Sequence, residues 1–177
     1  HGGYVAPDWS ADWLHREAEA ILDLWAAREH GVDSYKALDA PTQAAYATRV
    51  QALIRPNTWD AATGTITIDA DRAAAMEKVA AHYVDLFGND PATAELREAY
   101  AMRNNTVPDA EHRRLMTGFF WWAAWSSITE RPGQTITYTA NWPHDELVGN
   151  TPPSNLLIWS VFSVLFLIAG IGLLGWH

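Results

Sequence analysis

The spacing of apolar residues in the first part of the chain predicts helices. Leu14, Ala18, Ile21 and Trp25 recur at helical spacing, so residues 11–30 form one apolar face. Asp8 and Ser10 supply N-cap side chains, and Gly31 supplies the stop. A second helix is predicted from near Pro41 to just before Pro56, with an apolar face made by Tyr46, Val50 and Leu53.

A change from helical to alternating spacing marks the next segment. Residues 57–69 read as a short hairpin, because residues 65–68 alternate as a strand does and residues 62–64 suit a turn. Asp69 or Asp71 then caps a third helix that ends near Phe87, and its apolar face is Met76, Val79, Tyr83 and Leu86. A short fourth helix is predicted from Asp90-Pro91 to about Met102.

A fifth helix, opened by Pro108-Asp109 and ending near Ile128, has an unusual second half. Residues 119–125 read FFWWAAW, so they are apolar on almost all sides and must be covered. Either other parts of the domain or a partner, such as a membrane-embedded region, covers them. The segment Arg131-Pro132-Gly133 breaks the chain, and residues 135–138 are a candidate short strand.

The strongest pattern lies at the C-terminal end. Residues 156–176 carry no charge, and as a helix they would extend about 30 Å, enough to cross a bilayer core. Their G-x-G-x-x-G run, residues 170–175, lies within the apolar stretch without a preceding strand, so it favours helix–helix contact over dinucleotide binding. Trp142, Trp159 and Trp176 are expected at membrane–water interfaces.

Composition and charge exclude several functions. The net charge of −9 argues against nucleic-acid binding, which needs a basic surface. The absence of cysteine excludes disulfides, thiolate metal sites and C-x-x-C-H heme attachment within this stretch. No lysine or arginine occurs between Pro132 and His177, so the positive-inside rule places the domain on the non-cytoplasmic side. The chain starts at His1 and is interpreted as a fragment.

Candidate chemistry is sparse. None of the seven histidines forms a zinc signature, and no nucleophile, phosphate-loop or paired-carboxylate motif is present. Asp12 and His15 are expected to pair on a helix surface. His144, Asp145 and Glu146 cluster beside the predicted span together with Trp142. Two interpretations of this cluster remain open: a polar membrane-interface loop, or a group that carries protons or meets a quinol head group.

Three segments resemble a known family. Residues 1–9 with 10–17 (HGGYVAPDW, SADWLHRE) resemble the opening of the soluble domain of quinol-dependent nitric oxide reductases. Residues 119–125 with 131–133 resemble its last helix and exit. Residues 136–150 (ITYTANWPHDELVGN) resemble its interface loop. The resemblance implies a mainly α, cytochrome c-like domain with a small β-hairpin over residues 1–150, followed by one transmembrane helix over residues 151–177.

In that family the domain is similar to cytochrome c but has lost its heme. Val107-Pro108 stands near the place where heme-bearing relatives have an axial Met before Pro, and a valine cannot ligate iron. In those relatives carbonyls around a Gly-x-Tyr segment help to bind calcium. Carried over, these would be the carbonyls of Gly2 and Tyr4, which would need further oxygen ligands.

The resemblance also implies a function for the parent enzyme: reduction of two nitric oxide molecules to nitrous oxide and water, with quinol as donor. Heme b, heme b3 and non-heme iron would be held by the remaining transmembrane helices of the same polypeptide, in the bacterial inner membrane. This fragment would carry no catalytic centre or cofactor. It would lie on the periplasmic side and pack on the heme-containing part.

Two other functions remain open. An electron-transfer module predicts bound heme in the isolated fragment. A membrane-anchored ligand-binding or sensor domain predicts a pocket that fills without another protein chain. The quinol type, the oligomeric state and the binding of calcium are not fixed by the sequence.

Overall fold

The computed structural model describes residues 8–176, most of which are helical. The described residues form the α-helices α1 (Trp9–His30), α2 (Ala40–Ile54), α3 (Ala70–Phe87), α4 (Ala94–Ala99), α5 (Ala110–Ile128) and α6 (Ser154–Trp176). Single 3-10 turns lie at Tyr35–Ala37 and Pro91–Thr93. Strands β1 (Trp59–Asp60) and β2 (Thr65–Ile66) pair antiparallel, with Trp59 opposite Ile66. The predicted fold class, mainly α with one small hairpin and a final apolar helix, is confirmed.

Aspartate side chains begin α1 and α3, as the sequence predicted. Asp8 accepts hydrogen bonds from the backbone N–H groups of Ser10 and Ala11 at the start of α1, and Asp69 caps α3. An acceptor at this position satisfies N–H groups that have no partner within the helix. Gly31 ends α1 in the left-handed conformation, with φ of 68°, which glycine adopts without steric strain.

The core lies among α1, α3 and α5, which pack against each other. The predicted apolar face of α1 is buried in full, as are Tyr46 and Val50 of α2. In α3, Val79, Tyr83 and Leu86 are buried, whereas Met76 is half-buried. The spacing of apolar residues therefore identified the inward faces of these three helices correctly.

Three local predictions were wrong. Residues 135–138 form no strand: a single bridge joins Glu130 and Thr137, because the chain turns back where Asn141 hydrogen bonds to Thr137 in both directions. The fourth helix is shorter than predicted, since α4 ends at Ala99 and Ala101 has a positive φ of 50°. Asp12 does not pair with His15, because its carboxylate binds Arg16 and the hydroxyl of Tyr83.

The final helix differs from all the others in its surroundings. α6 has a mean hydropathy of 2.5 over its most apolar window, and none of that window is buried. Its glycines at 170, 172 and 175 lie inside the helix, with open space where a Cβ would stand at each one. α6 therefore has the length and composition of a membrane span, and its apolar surface is uncovered in the described chain.

Candidate membrane-facing and docking site

The predicted interface loop is a turn built by short-range hydrogen bonds. The side chain of Asn150 is fully buried and donates to the carbonyls of Ser127, 2.9 Å away, and Pro143, 3.1 Å away. Asp145 and Asn150 exchange backbone hydrogen bonds, and Asn141 donates to the carbonyl of Thr151. This loop thus joins the end of α5 to the start of α6 through defined contacts.

In the structure His144 and Glu146 stay close to each other, whereas Asp145 pairs with another element. His144 Nδ1 lies 2.9 Å from the carbonyl oxygen of Asn150, and its Nε2 lies 4.0 Å from Glu146, whose side chain is 92% exposed. Asp145 points to a different element: its Oδ2 is 3.0 Å from His15 Nδ1 on α1. The three residues are neighbours on the surface without forming one site, and Trp142 beside them is 53% exposed.

Helix α2 holds the loop from the other side. Gln51 donates to the carbonyl of Leu147 at 3.0 Å, and Arg55 donates to the carbonyl of Gly149 at 3.1 Å and to Glu130 at 3.0 Å. Gly149 has a φ of 73°, and a Cβ there would stand 3.0 Å from Gln51. Spacing along the chain gave no signal for these contacts, because they join segments far apart in sequence.

Helix α5 has one covered and one uncovered apolar face. Phe120 and Ala124 are buried in the core, and Trp125 is buried with its ring stacked on Tyr138. On the opposite side Leu115, Phe119 and Trp122 are 58%, 62% and 53% exposed; we call these three residues the α5 stripe. Their spacing of four and three residues aligns them along the helix. The expected cover for residues 119–125 is therefore present on one side only.

The space between the core helices is filled by aromatic rings. The rings of Trp13 and Tyr83 stack with centroids 5.3 Å apart, and Trp9 contacts Tyr83, Phe87 and Phe120. Val107, near the expected place of an axial Met, is half-buried, and its N–H donates to the carbonyl of Phe87. At the expected place of an axial Met the chain thus has a side chain that cannot ligate iron.

A buried ion pair, which the sequence did not reveal, crosses the same core. Arg72 of α3 and Glu17 of α1 are 2.6 Å apart, with side chains 6% and 2% exposed. Trp13 Nε1 donates to the second carboxylate oxygen of Glu17, and Arg72 also donates to the carbonyl of Ile54. A charge buried this deeply is tolerable only with such partners.

Several ionisable groups around the core have shifted pKa values. Burial, and then the hydrogen bond to Asp12, raise the pKa of Tyr83. Burial, helped by the charge of Arg16, lowers the pKa of His82. The Arg28 guanidinium, with Trp25, lowers the pKa of Asp71 to about 2. These shifts follow from structural packing, and residues 8–176 contain no group of three His, Cys, Asp or Glu side chains able to hold a metal.

Comparison with known families identifies the fold. The model of the NorB cytochrome c-like domain of nitric oxide reductase matches residues 1–144, which is most of the 177-residue chain. The chain belongs to this family. A search of curated proteins found no match. The match ends within the loop that precedes α6, and the resemblance to nitric oxide reductases seen in the sequence is confirmed.

Family membership does not test the predictions about individual residues, the domain boundary or the electron donor. Gly2 and Tyr4, whose carbonyls are the candidate calcium ligands, lie outside the described residues. The division of the chain at residues 150 and 151 stays a prediction, as do the interface role of Trp142, His144, Asp145 and Glu146 and the quinol donor. The chain is thus a nitric oxide reductase domain of the NorB type, followed by an apolar helix compatible with membrane anchoring.

Proposed function

We propose that this chain is the non-catalytic, heme-free domain of a quinol-dependent nitric oxide reductase, joined to one of its transmembrane helices. The whole enzyme converts two nitric oxide molecules, two electrons from quinol and two protons to nitrous oxide and water. Heme b, heme b3 and non-heme iron belong to the remaining transmembrane helices. The domain lies on the periplasmic face of the bacterial inner membrane and packs on that heme-containing part.

The α5 stripe is the observation that carries this proposal. Three large apolar side chains in line on one helix expose surface that a self-contained soluble domain normally buries. The other face of the same helix is fully packed, so the stripe is free to receive a partner. Because the matched family is part of nitric oxide reductase and the chain continues into an apolar helix, the remaining transmembrane part of that enzyme is the partner we assign to it.

The core composition supports the absence of heme from this domain. Aromatic rings fill the interior between α1, α3 and α5, and cysteine is absent. Electron transfer through this domain would need a redox group, and the chain has no C-x-x-C-H segment to attach a heme covalently. Its own contribution is structural: it covers the membrane part, excludes water from the covered surface and shapes access from the periplasmic side.

The docking role is tested in the whole reductase with the substitution Phe119→Asp. A carboxylate placed in the middle of the α5 stripe would have to be desolvated on docking, which costs several kcal/mol. We expect lower heme content, lower thermal stability and lower nitric oxide turnover of the purified enzyme. The control is Ala45→Asp, which adds a carboxylate at an exposed position of α2 outside the α5 stripe. Equal behaviour of the two variants would rule out docking through the stripe.

The donor and the heme-free state need a separate measurement. The purified reductase is supplied with a reduced quinol or with reduced cytochrome c, and we expect nitric oxide consumption with quinol alone. The 177-residue chain, produced in cells that make heme, is expected to show no Soret absorption. A Soret band would favour the electron-transfer module instead, and turnover with cytochrome c alone would contradict the quinol assignment.

A further inference from the structure

The β1–β2 hairpin exposes a tryptophan that the domain does not use. Trp59 lies in a two-residue strand and is 48% exposed. The end of its ring lies only 3.8 Å from the position of a Cβ on Gly64, so the hairpin itself shields one part of the indole. A large aromatic ring left half in water, with a polar N–H at its edge, is typical of residues that meet a membrane–water interface.

The hairpin is joined to the interface loop by direct contacts. Asn57, at the base of β1, donates to the hydroxyl of Tyr138 at 3.0 Å and to the carbonyl of Glu130 at 3.2 Å. Tyr138 stacks on Trp125 with ring centroids 5.9 Å apart, and the backbone N–H of Trp142 donates to the carbonyl of Thr139. Trp59 and Trp142 therefore belong to one end of the domain, the end from which the chain enters α6.

Each of the three elements at this end carries an exposed tryptophan. Trp59 belongs to the hairpin, Trp142 to the loop and Trp159, 69% exposed, to the beginning of α6. Tyr138, 41% exposed, lies between the first two. Side chains of this type partition into the headgroup region of a bilayer, where the ring is shielded and the polar edge stays hydrated. Their grouping indicates a lipid surface rather than a single small ligand.

The charges around the hairpin decide which lipids fit. Residues 56–71 contain no lysine or arginine, and neither do residues 132–177. Arg131 lies beside Trp59 in an open cleft of about 600 Å³ and is the only cation among the described residues that line it. Asp60, Asp145 and Glu146 are close in sequence to the exposed tryptophans. One arginine is enough to meet a lipid phosphate, but anionic headgroups attract surfaces with several basic residues.

We propose that the β1–β2 hairpin is a second membrane contact of this domain, in which Trp59 enters the headgroup layer of a zwitterionic phospholipid bilayer. The inference rests on the proposed membrane position of the loop around Trp142. With α6 as the anchor and the loop as the first contact of the domain, the hairpin adds a third point of attachment. Three points that are not in line fix the tilt of the domain over the membrane.

The absence of cysteine allows a clean test with single labelled positions. The variants Trp59→Cys, Trp142→Cys and His112→Cys each carry one environment-sensitive fluorophore, and each chain is reconstituted through α6 into phosphatidylcholine vesicles. Nitroxide lipids labelled at the headgroup or deep in the acyl chains report depth. We expect headgroup nitroxides to quench the label at position 59 at least about twofold, as at position 142, and to leave position 112 unchanged.

The outcomes separate this inference from the proposed function. Quenching at position 142 with none at position 59 would overturn the hairpin contact and leave the loop assignment standing. Quenching at neither position would overturn both the hairpin contact and the membrane assignment of the loop. Replacing part of the phosphatidylcholine by phosphatidylglycerol is expected to reduce quenching at position 59, and an increase would overturn the lipid selectivity. Ala61→Cys, which retains Trp59 in the same hairpin, gives a second labelled position should Trp59→Cys fold poorly.

Discussion

The domain formed by α1 to α5 and the final helix α6 have the same secondary structure, but they are stabilised by different means. In the domain, α1, α3 and α5 bury aromatic rings against each other and enclose the Glu17–Arg72 ion pair. In α6 no residue is buried, and Ser160 and Ser163 donate to carbonyls one turn back within the same helix. The domain supplies its own apolar surroundings, whereas α6 finds none among the described residues and has the length and composition to take them from a bilayer.

This difference predicts that the two regions respond to different substitutions. A residue of the domain is constrained by particular neighbours, so that the loss of one partner is felt through the core. If α6 spans a bilayer, a residue at its lipid-facing side is constrained mainly by its transfer free energy into lipid. Substitutions should therefore fall into two classes. Those in the domain should change its free energy of unfolding and leave membrane insertion unchanged, and those in α6 should change insertion and leave domain unfolding unchanged.

The largest effect is expected for Arg72→Met. This change leaves the carboxylate of Glu17 buried without its guanidinium partner, and it should lower the free energy of unfolding of the domain by about 3–5 kcal/mol. Guanidinium unfolding of the detergent-solubilised chain, followed by near-ultraviolet circular dichroism of the tryptophans, measures the change. Membrane insertion of α6 is expected to stay as it was.

Two further variants sharpen that prediction. Adding Glu17→Leu to Arg72→Met should restore most of the lost stability, because no unpaired charge then remains in the core. Arg114→Met removes an ion pair with Glu111 on the open surface of α5, where the side chains are 67% and 59% exposed, and it should change stability little. If Arg72→Met were as mild as Arg114→Met, the core pair would not have the structural role assigned to it.

The second prediction concerns α6. Leu165 lies at the middle of the helix, and Leu165→Arg should raise the free energy of membrane insertion by about 2.5–3.5 kcal/mol. Carbonate extraction of membranes from cells expressing the chain measures the inserted fraction, with Leu165→Phe as the apolar control. Domain stability should not change. Normal insertion of the arginine variant would mean that α6 is shielded from lipid by other protein.

The smallest effect is expected at the surface of the domain. Arg28 and Trp25 hydrogen bond to Asp71 and lower its pKa from 3.8 to about 2. A carboxylate with a lowered pKa stabilises the folded state at pH values above its unfolded pKa, and this contribution is lost as the pH falls from about 4 toward 2. Because the side chain is 24% exposed, solvent screening limits the contribution to about 1 kcal/mol.

Asp71→Asn is the variant that checks this contribution. It should be less stable than the parent chain at neutral pH, and the difference should shrink as the pH falls to about 2 and below, where the aspartate also becomes neutral. Unfolding curves measured at the two pH values give the comparison. A gap between the two chains that stays constant with pH would show that the stabilisation does not depend on the charge of Asp71.

Local patterns predicted most of the fold. The starts of α1, α3 and α5 followed from single aspartates, and the inward faces of α1 to α3 followed from the spacing of residues such as Ile21 and Tyr83. The apolar helix α6 followed from its lack of charge. These signals are carried by residues a few positions apart, so a single sequence contains them.

Long-range pairings were not predictable in this way. Nothing near His15 in sequence pointed to Asp145, so the pairing of His15 with Asp12 was the wrong choice. The Glu17–Arg72 pair and the contacts of Arg55 with the loop were missed for the same reason. The uncovered side of α5 was only partly foreseen, because the run FFWWAAW shows that cover is needed without showing which side already has it.

The clamp that Arg55 and Gln51 place on residues 146–150 has a mechanical consequence. A domain on a slack tether would swing over the bilayer and sample many heights, whereas here only the short Pro152-Pro153 step separates hydrogen-bonded backbone from the first turn of α6. Proline restricts φ, so residues 152 and 153 form a stiff connection between the loop and α6. A force that acts on the domain would therefore be transmitted to α6 as a torque.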